Sequence, residues 1–471
     1  MSLTLPDPRI IPPESVPALR WGIVGTGIAA RFVHALHTHT GQRAVAVAAR
    51  NVAKTQAFAT EHGILTVHED PSALIADPAV DVVYISTPHP LHHDLALEAI
   101  QAGKHVLIEK PIAMSASETR SITKAGRAAG VLVMEAMWTR YLPQADIVRQ
   151  ILADGTIGEI QLVQADFGFA FPFDAGHRLW NADLGGGSLL DAGIYPISFA
   201  SSVLGSPSTV KASGLLAPTG VDARADLLLT SASGATAMVS ASIVSSMPVV
   251  ASIMGTAGRV EVLSPFFGPS GVTLSTGSFG AEDSVTWRDD TFKTLHEGLG
   301  YQATAFASYV SEGRIESPLH PHEEMISIMS TIDEAKQQIA AISDVTDNAG
   351  RAPVVGGLRG RLDSPAARDR AAGSAIRHTV AFRLVHERGS AAEAEFLDSA
   401  AKALTAIDGV ADFEVNRQVS VKSDLDWQLS MVFADREAYD AYNEHPVHVA
   451  FVESRWQAEV TAFQEYDFAT R

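Results

Sequence analysis

The sequence predicts three folded units in a row: an α/β domain with a doubly wound parallel sheet, an α+β domain on an open sheet, and a C-terminal ferredoxin-like α+β domain. Three observations predict it. Short apolar strands alternate with helices over the first 137 residues. Strand-like segments then follow one another with few helices between them. After a stretch rich in Gly, Ala, Pro and Arg, the order βαββαβ closes the chain, which is the ferredoxin-like pattern.

The elements follow in order. Residues 1–18 carry repeated prolines, no basic start and no long apolar run, so they read as an extended arm and not a signal peptide. RWGIVG (20–25), RAVAVAAR (43–50), AVDVVYISTP (79–88), HVLIEKP (105–111) and GVLVMEAM (130–137) read as buried strands with helices between them. That alternation implies a parallel sheet covered on both faces and sets the first domain at residues 19–137. A helix is expected over 143–153, and IGEIQLVQADFGFAF (157–171) opens a long strand. ARADLLLTSASGATAMVSASIV (223–244) reads as a hairpin about a Ser-Gly turn. Two late helices, within 301–313 and 321–342, complete a second domain at residues 138–343 with a mainly antiparallel sheet. Residues 344–375 read as a linker, and 376–471 as the third domain.

Bulk properties narrow the function. At about 100–200 residues per domain, 471 residues allow several domains. A net charge of -19 argues against nucleic acid or an anionic membrane as partner. There is no cysteine, which excludes disulfides, thiolate metal sites and cysteine nucleophiles. No run of eighteen apolar residues appears, so no membrane span is expected. The expected location is the cytoplasm.

GIVGTGIAA (22–30) places Gly25, Gly27 and Ala30 in the spacing G-x-G-x-x-A, with Thr26, Ile28 and Ala29 in the same turn. The first glycine permits the turn, the second admits a pyrophosphate, and the small third residue lets helix pack on strand. The helix N-terminus then offers free N–H groups to the phosphates. Its position after a strand and before a helix makes this a Rossmann dinucleotide site. The second strand ends on Arg50 and Asn51, with Lys54 close behind, where an acidic residue would bind a ribose 2′-hydroxyl. A guanidinium suits a 2′-phosphate, so NADP is favoured over NAD; the alternative is a solvated Arg50 and relaxed specificity. Ser86, Thr87, Pro88 and His89 end a strand beside the expected nicotinamide ribose, with His92, Glu109 and Lys110 as further candidates. No carboxylate cluster accompanies His89, His92 and His93, so no metal site is expected.

Lys110 stands at the C-terminal end of a strand, the edge where open α/β sheets bind ligands. GGGSLLDAGIYP (185–196) sets Asp191 and Tyr195 four apart, on one face if the segment is helical. Pro196 disfavours α geometry at Tyr195 and works against that reading. A nearby lysine cation would lower the phenol's pKa, so Tyr195 could take a substrate proton as hydride leaves. Lys110 as the direct acid/base is the alternative.

GIVGTGIAA, STPHPLHHDLALEAIQAGKHVLIEKP and GGGSLLDAGIYP together resemble the glucose-fructose oxidoreductase/inositol dehydrogenase (Gfo/Idh/MocA) family. MEAMWTRYLP and ESPLHPHEEM are similar to its dimeric dihydrodiol dehydrogenase branch. The resemblance implies hydride transfer between NAD(P) and a hydroxyl carbon of a sugar, cyclitol or diol. It implies catalytic roles for Lys110, Asp191 and Tyr195. Trp138, Arg140, Arg178 and Trp180 resemble substrate-pocket residues of the branch, with packing at the domain junction as their other reading.

Residues 378–468 resemble the dimeric α+β barrel stress-responsive (Dabb) family, through RHTVAFRL, YNEHPVHVAFVE and EYDF. That resemblance implies pairing of two sheets into a barrel, hence a homodimer or higher homo-oligomer. It also marks His378, Tyr442 and His448 as a possible second site, against the reading that H-P-x-H is structural. Two other functions stay open: oxidation coupled to elimination or cyclisation in the barrel, and a non-catalytic sugar sensor or assembly protein.

Overall fold

The computed structural model describes residues 3–278, 281–292, 294–348, 375–419 and 425–469. The chain forms two compact units, Met1–Val355 and Gly356–Arg471. Most of the expected linker, 349–374, lies outside the described residues.

The first sheet of unit one holds β1 (Arg20–Val24), β2 (Arg43–Ala48), β3 (Thr66–Val67), β4 (Val82–Ile85), β5 (His105–Ile108) and β6 (Val133–Glu135). They run in the order β3-β2-β1-β4-β5-β6, all parallel. The order reverses direction between β1 and β4, which opens a crevice at their C-terminal ends. Strands β1 and β4 are buried along nearly their whole length because helices cover both faces. Helices α1 (Ala29–His39), α2 (Val52–His62), α3 (Pro71–Ile75), α4 (His92–Gln101) and α5 (Ala116–Ala129) supply that cover. β6 is shorter than the eight-residue run suggests, because Gly130 ends α5 in a left-handed turn and the chain leaves the sheet after Glu135.

The second sheet has the order β14-β13-β12-β11-β7-β10-β9-β8. Its strands are β7 (Ile160–Gly168), β8 (Thr209–Leu216), β9 (Asp222–Thr230), β10 (Thr236–Ser242), β11 (Ala251–Gly255), β12 (Gly258–Val262), β13 (Gly271–Ser278) and β14 (Ala281–Arg288). All neighbours are antiparallel except β7 and β10. β9 and β10 form the expected hairpin, closed by a Ser231–Gly234 turn. Helices α6 (Pro143–Ala153), α7 (Ile194–Leu204), α8 (Leu299–Ser311) and α9 (His322–Asn348) complete the domain. α9 runs six residues past the expected end at 342, so the first part of the expected linker is helical. The N-terminal arm is pinned to α6: Arg9 N–H donates to the Asp146 carboxylate at 2.8 Å.

Unit two has an antiparallel sheet in the order β16-β17-β15-β18, from β15 (Ile376–Leu384), β16 (Ala411–Arg417), β17 (Trp427–Phe433) and β18 (Val460–Ala469). Helices over Ala391–Leu404, Arg436–Glu444 and Pro446–Phe451 complete the βαββαβ order. Phe382, Phe396, Met431, Phe433 and Tyr442 form its core. Tyr466 and Phe468, two apart on β18, are exposed.

Candidate active site

The glycine turn after β1 fits a dinucleotide. Gly25 has φ +103°, and a Cβ there would press on the Ser86 backbone oxygen at 2.8 Å. A Cβ at Gly27 would meet nothing within 4 Å, which leaves open space for a pyrophosphate beside the helix. No side chain caps α1 at Ile28, so its first N–H groups remain available for phosphate oxygens. Thr87 Oγ1 is buried without a partner among the described residues, as a group awaiting a ligand would be. At the end of β2, Arg50 is exposed. Asn51 is committed elsewhere: its side chain caps α2 by accepting the Lys54 N–H at 3.0 Å.

The candidate reacting groups come from both domains. Lys110, just past β5, donates from Nζ to the Asp191 backbone carbonyl at 2.8 Å, with the Asp191 Oδ1 at 3.8 Å. The same ammonium stands 5.0 Å from the centroid of the Tyr195 ring. Arg178 donates to Asp191 Oδ1 at 2.9 Å. Residues Leu189–Gly193 form a π-helical turn that leads into α7. The wider turn keeps Asp191 and Tyr195 on the side facing Lys110. Pro196 falls in the first turn of α7, where its missing N–H costs little.

The three glycines hold this turn against its neighbours. Gly187 N–H donates to Leu179 O and Gly186 N–H to Asn181 O, each at 2.9 Å. A Cβ at Gly186 would meet the carbonyl oxygens of Arg178, Leu179 and Asn181 at 2.7–2.8 Å. The segment that carries Arg178 is thereby locked to the segment that carries Asp191.

Electrostatics assign the charges. Burial acts to lower the Lys110 pKa, but Tyr195, Asp191 and Glu109 outweigh it and raise it, so Lys110 stays a cation. Burial acts to raise the Asp191 pKa, but Lys110 and Arg178 outweigh it and hold it below the ordinary value. Burial raises Tyr195 above its ordinary value, with Lys110 and the Trp138 indole opposing it. Lys110 acts to lower the phenol's pKa as expected, but the desolvation of the buried ring is larger and the net shift is upward. Burial, helped by Lys110, pushes His89 down to about 3, so its ring is neutral.

Other expected site residues fall in different places. His89 lies beside the site, with Nδ1 3.1 Å from Gly185 O. His92 is buried with its ring nitrogens 2.9 Å from Pro111 O and 2.8 Å from Thr87 O, and so ties together the loops after β4 and β5. Glu109 accepts the Tyr84 hydroxyl at 2.5 Å and the Lys110 N–H at 3.2 Å. Trp138 stacks on His296 with ring centroids 6.1 Å apart. Arg140 is buried and bonded to Ser198 and Glu324, and Trp180 is buried with its indole donating to Pro172 O at 2.8 Å. Arg140 is thus tied to α7 and α9, and Trp180 packs with Leu179, Val221 and Ile243 inside the second domain. Sequence reasoning missed Phe167 and Phe267, which flank Tyr195 with centroids 5.6 Å and 5.2 Å away. DFGFAF and SPFFGP are the only signals that could have pointed to them.

In unit two, His378 Nδ1 lies 3.7 Å from Glu465 Oε1 and 3.5 Å from the Tyr439 hydroxyl. Tyr442 is buried against the His448 ring, with centroids 4.4 Å apart, and burial raises its pKa. Burial lowers that of His448. Tyr439 and Glu465 had no sequence signal of their own.

Comparison with known proteins agrees with this architecture. Residues 19–137 match the oxidoreductase family with an NAD-binding Rossmann fold, 146–261 the GFO/IDH/MocA C-terminal domain, and 376–469 the stress-responsive A/B barrel domain. Trans-1,2-dihydrobenzene-1,2-diol dehydrogenase of Xenopus tropicalis is 32% identical over 330 residues, 68% of this chain and 98% of that protein. The Sus scrofa enzyme of the same name is 34% identical over 328 residues, 68% and 97%. Among solved structures, a 3-ketoreductase from Actinomadura kijaniata in complex with NADP and TDP-benzene is 27% identical. It has a TM-score of 0.60 over 69% of this chain and 98% of that one. With both halves of its first unit matched and these relatives spanned nearly end to end, the chain belongs to the Gfo/Idh/MocA family of NAD-binding oxidoreductases and carries a Dabb domain after it.

Proposed function

We propose that the protein is a dehydrogenase that moves a hydride between a CH–OH carbon of a sugar, glycoside or trans-diol and a nicotinamide dinucleotide, with NADP preferred. The observation that carries this reading is the meeting of Lys110 with Tyr195 and Asp191 across the two domains, beside a turn that fits the cofactor. When bound, the nicotinamide accepts or supplies the hydride. Tyr195 exchanges the proton of the reacting hydroxyl. Lys110, a cation, holds that oxygen as charge develops on it. Asp191 fixes the ammonium, and Arg178 fixes Asp191. Phe167 and Phe267 offer an apolar wall to the face of a ring-shaped substrate. The diol relatives support a cyclic diol and the ketoreductase structure supports a sugar, with NADP as its cofactor.

The division at 19–137, 138–343 and 376–471 is read here as cofactor domain, substrate domain and pairing module. The exposed Tyr466 and Phe468 on β18 support association of two copies through the Dabb sheet. The acidic, cysteine-free sequence suits the cytoplasm. A second reading rests on the His378, Glu465 and Tyr439 group, which could serve proton transfer in a coupled elimination or cyclisation.

The test is incubation of purified protein with NADP or NAD and a panel of sugars and diols, read by the near-ultraviolet absorbance of reduced nicotinamide. No reduction across the panel would sink the first reading. For the second, His378→Ala should leave nicotinamide reduction intact and stop a later product.

A further inference from the structure

A chain of buried polar contacts joins the loop of Lys110 to the helix of Tyr195 without touching either side chain. It starts at Glu135, the last residue of β6, which is 1% exposed. Glu135 Oε1 accepts the backbone N–H of Ile112 at 2.8 Å, two residues beyond Lys110. Glu135 Oε2 lies 2.7 Å from His320 Nε2, and His320 is fully enclosed. The other ring nitrogen of His320, Nδ1, makes no hydrogen bond among the described residues and stands 3.6 Å from Glu324 Oε2, a charge contact that closes the chain electrostatically. Glu324 Oε1 accepts from Arg140 at 2.7 Å and from the Ser201 hydroxyl at 2.8 Å. Arg140 in turn donates to the backbone oxygen of Ser198 at 2.8 Å, one helical turn after Tyr195.

We infer that His320 is a positioning residue for the hydride-transfer site, holding the Lys110 loop and the Tyr195 helix in register through Glu135 on one side and Glu324 and Arg140 on the other. This inference rests on the dehydrogenase reading above. Three features support it. The two ends of the chain attach to main-chain groups next to the two reacting side chains, so any shift of His320 moves the loop against the helix. Glu135 and His320 are enclosed and Glu324 is mostly so, where charged and polar groups are costly to desolvate and apolar packing would suffice for stability alone. Finally, Lys110 reaches the second domain through a long side chain whose end is held by the Asp191 carbonyl, so its aim depends on how the loop is set against the helix. Proton exchange between a substrate oxygen and two groups from separate domains needs both held to a fraction of an ångström.

The experiment compares His320→Leu, His320→Gln and Glu135→Gln in the full chain. For each it measures kcat, KM, cofactor dissociation constant and melting temperature. His320→Leu is expected to lower kcat on the order of 10- to 100-fold, with KM and cofactor binding nearly unchanged. His320→Gln, whose amide can still donate to Glu135, is expected to recover most of kcat. In a Tyr195→Phe background, His320→Leu is expected to cost much less than in wild type, because one of the two groups it holds in register is gone. A folded His320→Leu with wild-type kcat overturns the inference. So does a loss confined to melting temperature, or one that simply multiplies with that of Tyr195→Phe. If His320→Leu does not fold, Glu135→Gln decides by the same kcat criterion. A wild-type protein that transfers no hydride overturns the dehydrogenase reading itself, and a wild-type protein that does so while all three variants match it overturns only the positioning role.

Discussion

Lys110, just past β5 of the first domain, donates to the main-chain carbonyl of Asp191 in the second domain at 2.8 Å, while the Asp191 carboxylate is held by Arg178 at 2.9 Å. The lysine is therefore aimed by backbone, and the carboxylate beside it sets its charge. Removing the ammonium should remove the group that steadies the reacting oxygen but leave the fold in place. Lys110→Met is expected to lower kcat by roughly 100-fold or more, on the scale of one lost oxyanion donor. The cofactor dissociation constant should change little. Steady-state kinetics beside a fluorescence titration of reduced cofactor checks both.

The pH dependence follows from the raised pKa of Tyr195. A phenol above its ordinary value keeps its proton through the neutral range, so it is ready to donate and slow to accept. Carbonyl reduction should be nearly flat from pH 6 to 8, whereas alcohol oxidation should climb with pH through the same range. Tyr195→Phe should remove the climb along with most of the rate. A pH profile of kcat in both directions tests this. An oxidation rate that is flat in pH would mean that another group takes the proton.

Much of this was legible in the sequence because it depends on local rules. The G-x-G-x-x-A turn, the apolar strands and the βαββαβ order each follow from backbone requirements that particular residues meet within a short window. Lys110, Asp191 and Tyr195 could be named as well, since motif and position coincide. The environment of those groups was not legible. How deeply Tyr195 is enclosed depends on Phe167 and Phe267, which are 100 residues apart and meet only after β7 and the loop beyond β12 are placed. The roles of Arg140 and His92 were equally hidden. A charged or ring side chain in a motif region reads alike whether it faces a ligand or, as here, Glu324 or two backbone carbonyls. Pro196 argued against α geometry at Tyr195, yet both lie in the first turn of α7, where a proline's missing N–H costs little.

Cofactor preference tests Arg50. It is exposed at the end of β2, and the neighbouring Asn51 side chain is occupied by its helix cap. A charge-assisted bond to the 2′-phosphate is worth about 1.5–3 kcal/mol, or roughly tenfold to a hundredfold in affinity. Arg50→Glu should raise KM for NADP by that factor and leave KM for NAD equal or lower. Unchanged selectivity would move the discrimination to another residue.

Gly186 gives a structural prediction with a catalytic readout. A Cβ there would meet three carbonyl oxygens of the Arg178 segment at 2.7–2.8 Å. Backbone atoms cannot move aside as a flexible side chain can, so the loop itself must shift. Gly186→Ala should cost about 1–3 kcal/mol of stability and displace Arg178 from Asp191. Activity should fall more than melting temperature alone explains, while Gly63→Ala, at a helix end far from the site, should affect stability only.

The Arg140–Glu324 pair sets an acid limit on stability. Burial acts to raise the Glu324 pKa, but His320 and Arg140 outweigh it and hold it at about 2. A carboxylate depressed in the folded state stabilises above its ordinary value and loses that contribution as pH falls toward the folded value. The window is therefore about pH 4.5 down to 2. The full contribution is roughly 3 kcal/mol at 1.36 kcal/mol per pKa unit. Arg140→Met leaves the buried carboxylate without its guanidinium, which typically costs about 3–5 kcal/mol near neutral pH. Glu324 would then protonate closer to its ordinary value. The variant should melt well below wild type at pH 7, and the gap should narrow as pH falls from 5 to 3. Melting curves of both proteins across that range check the sign. A gap that stayed constant would show that Glu324 is not the group whose charge Arg140 holds.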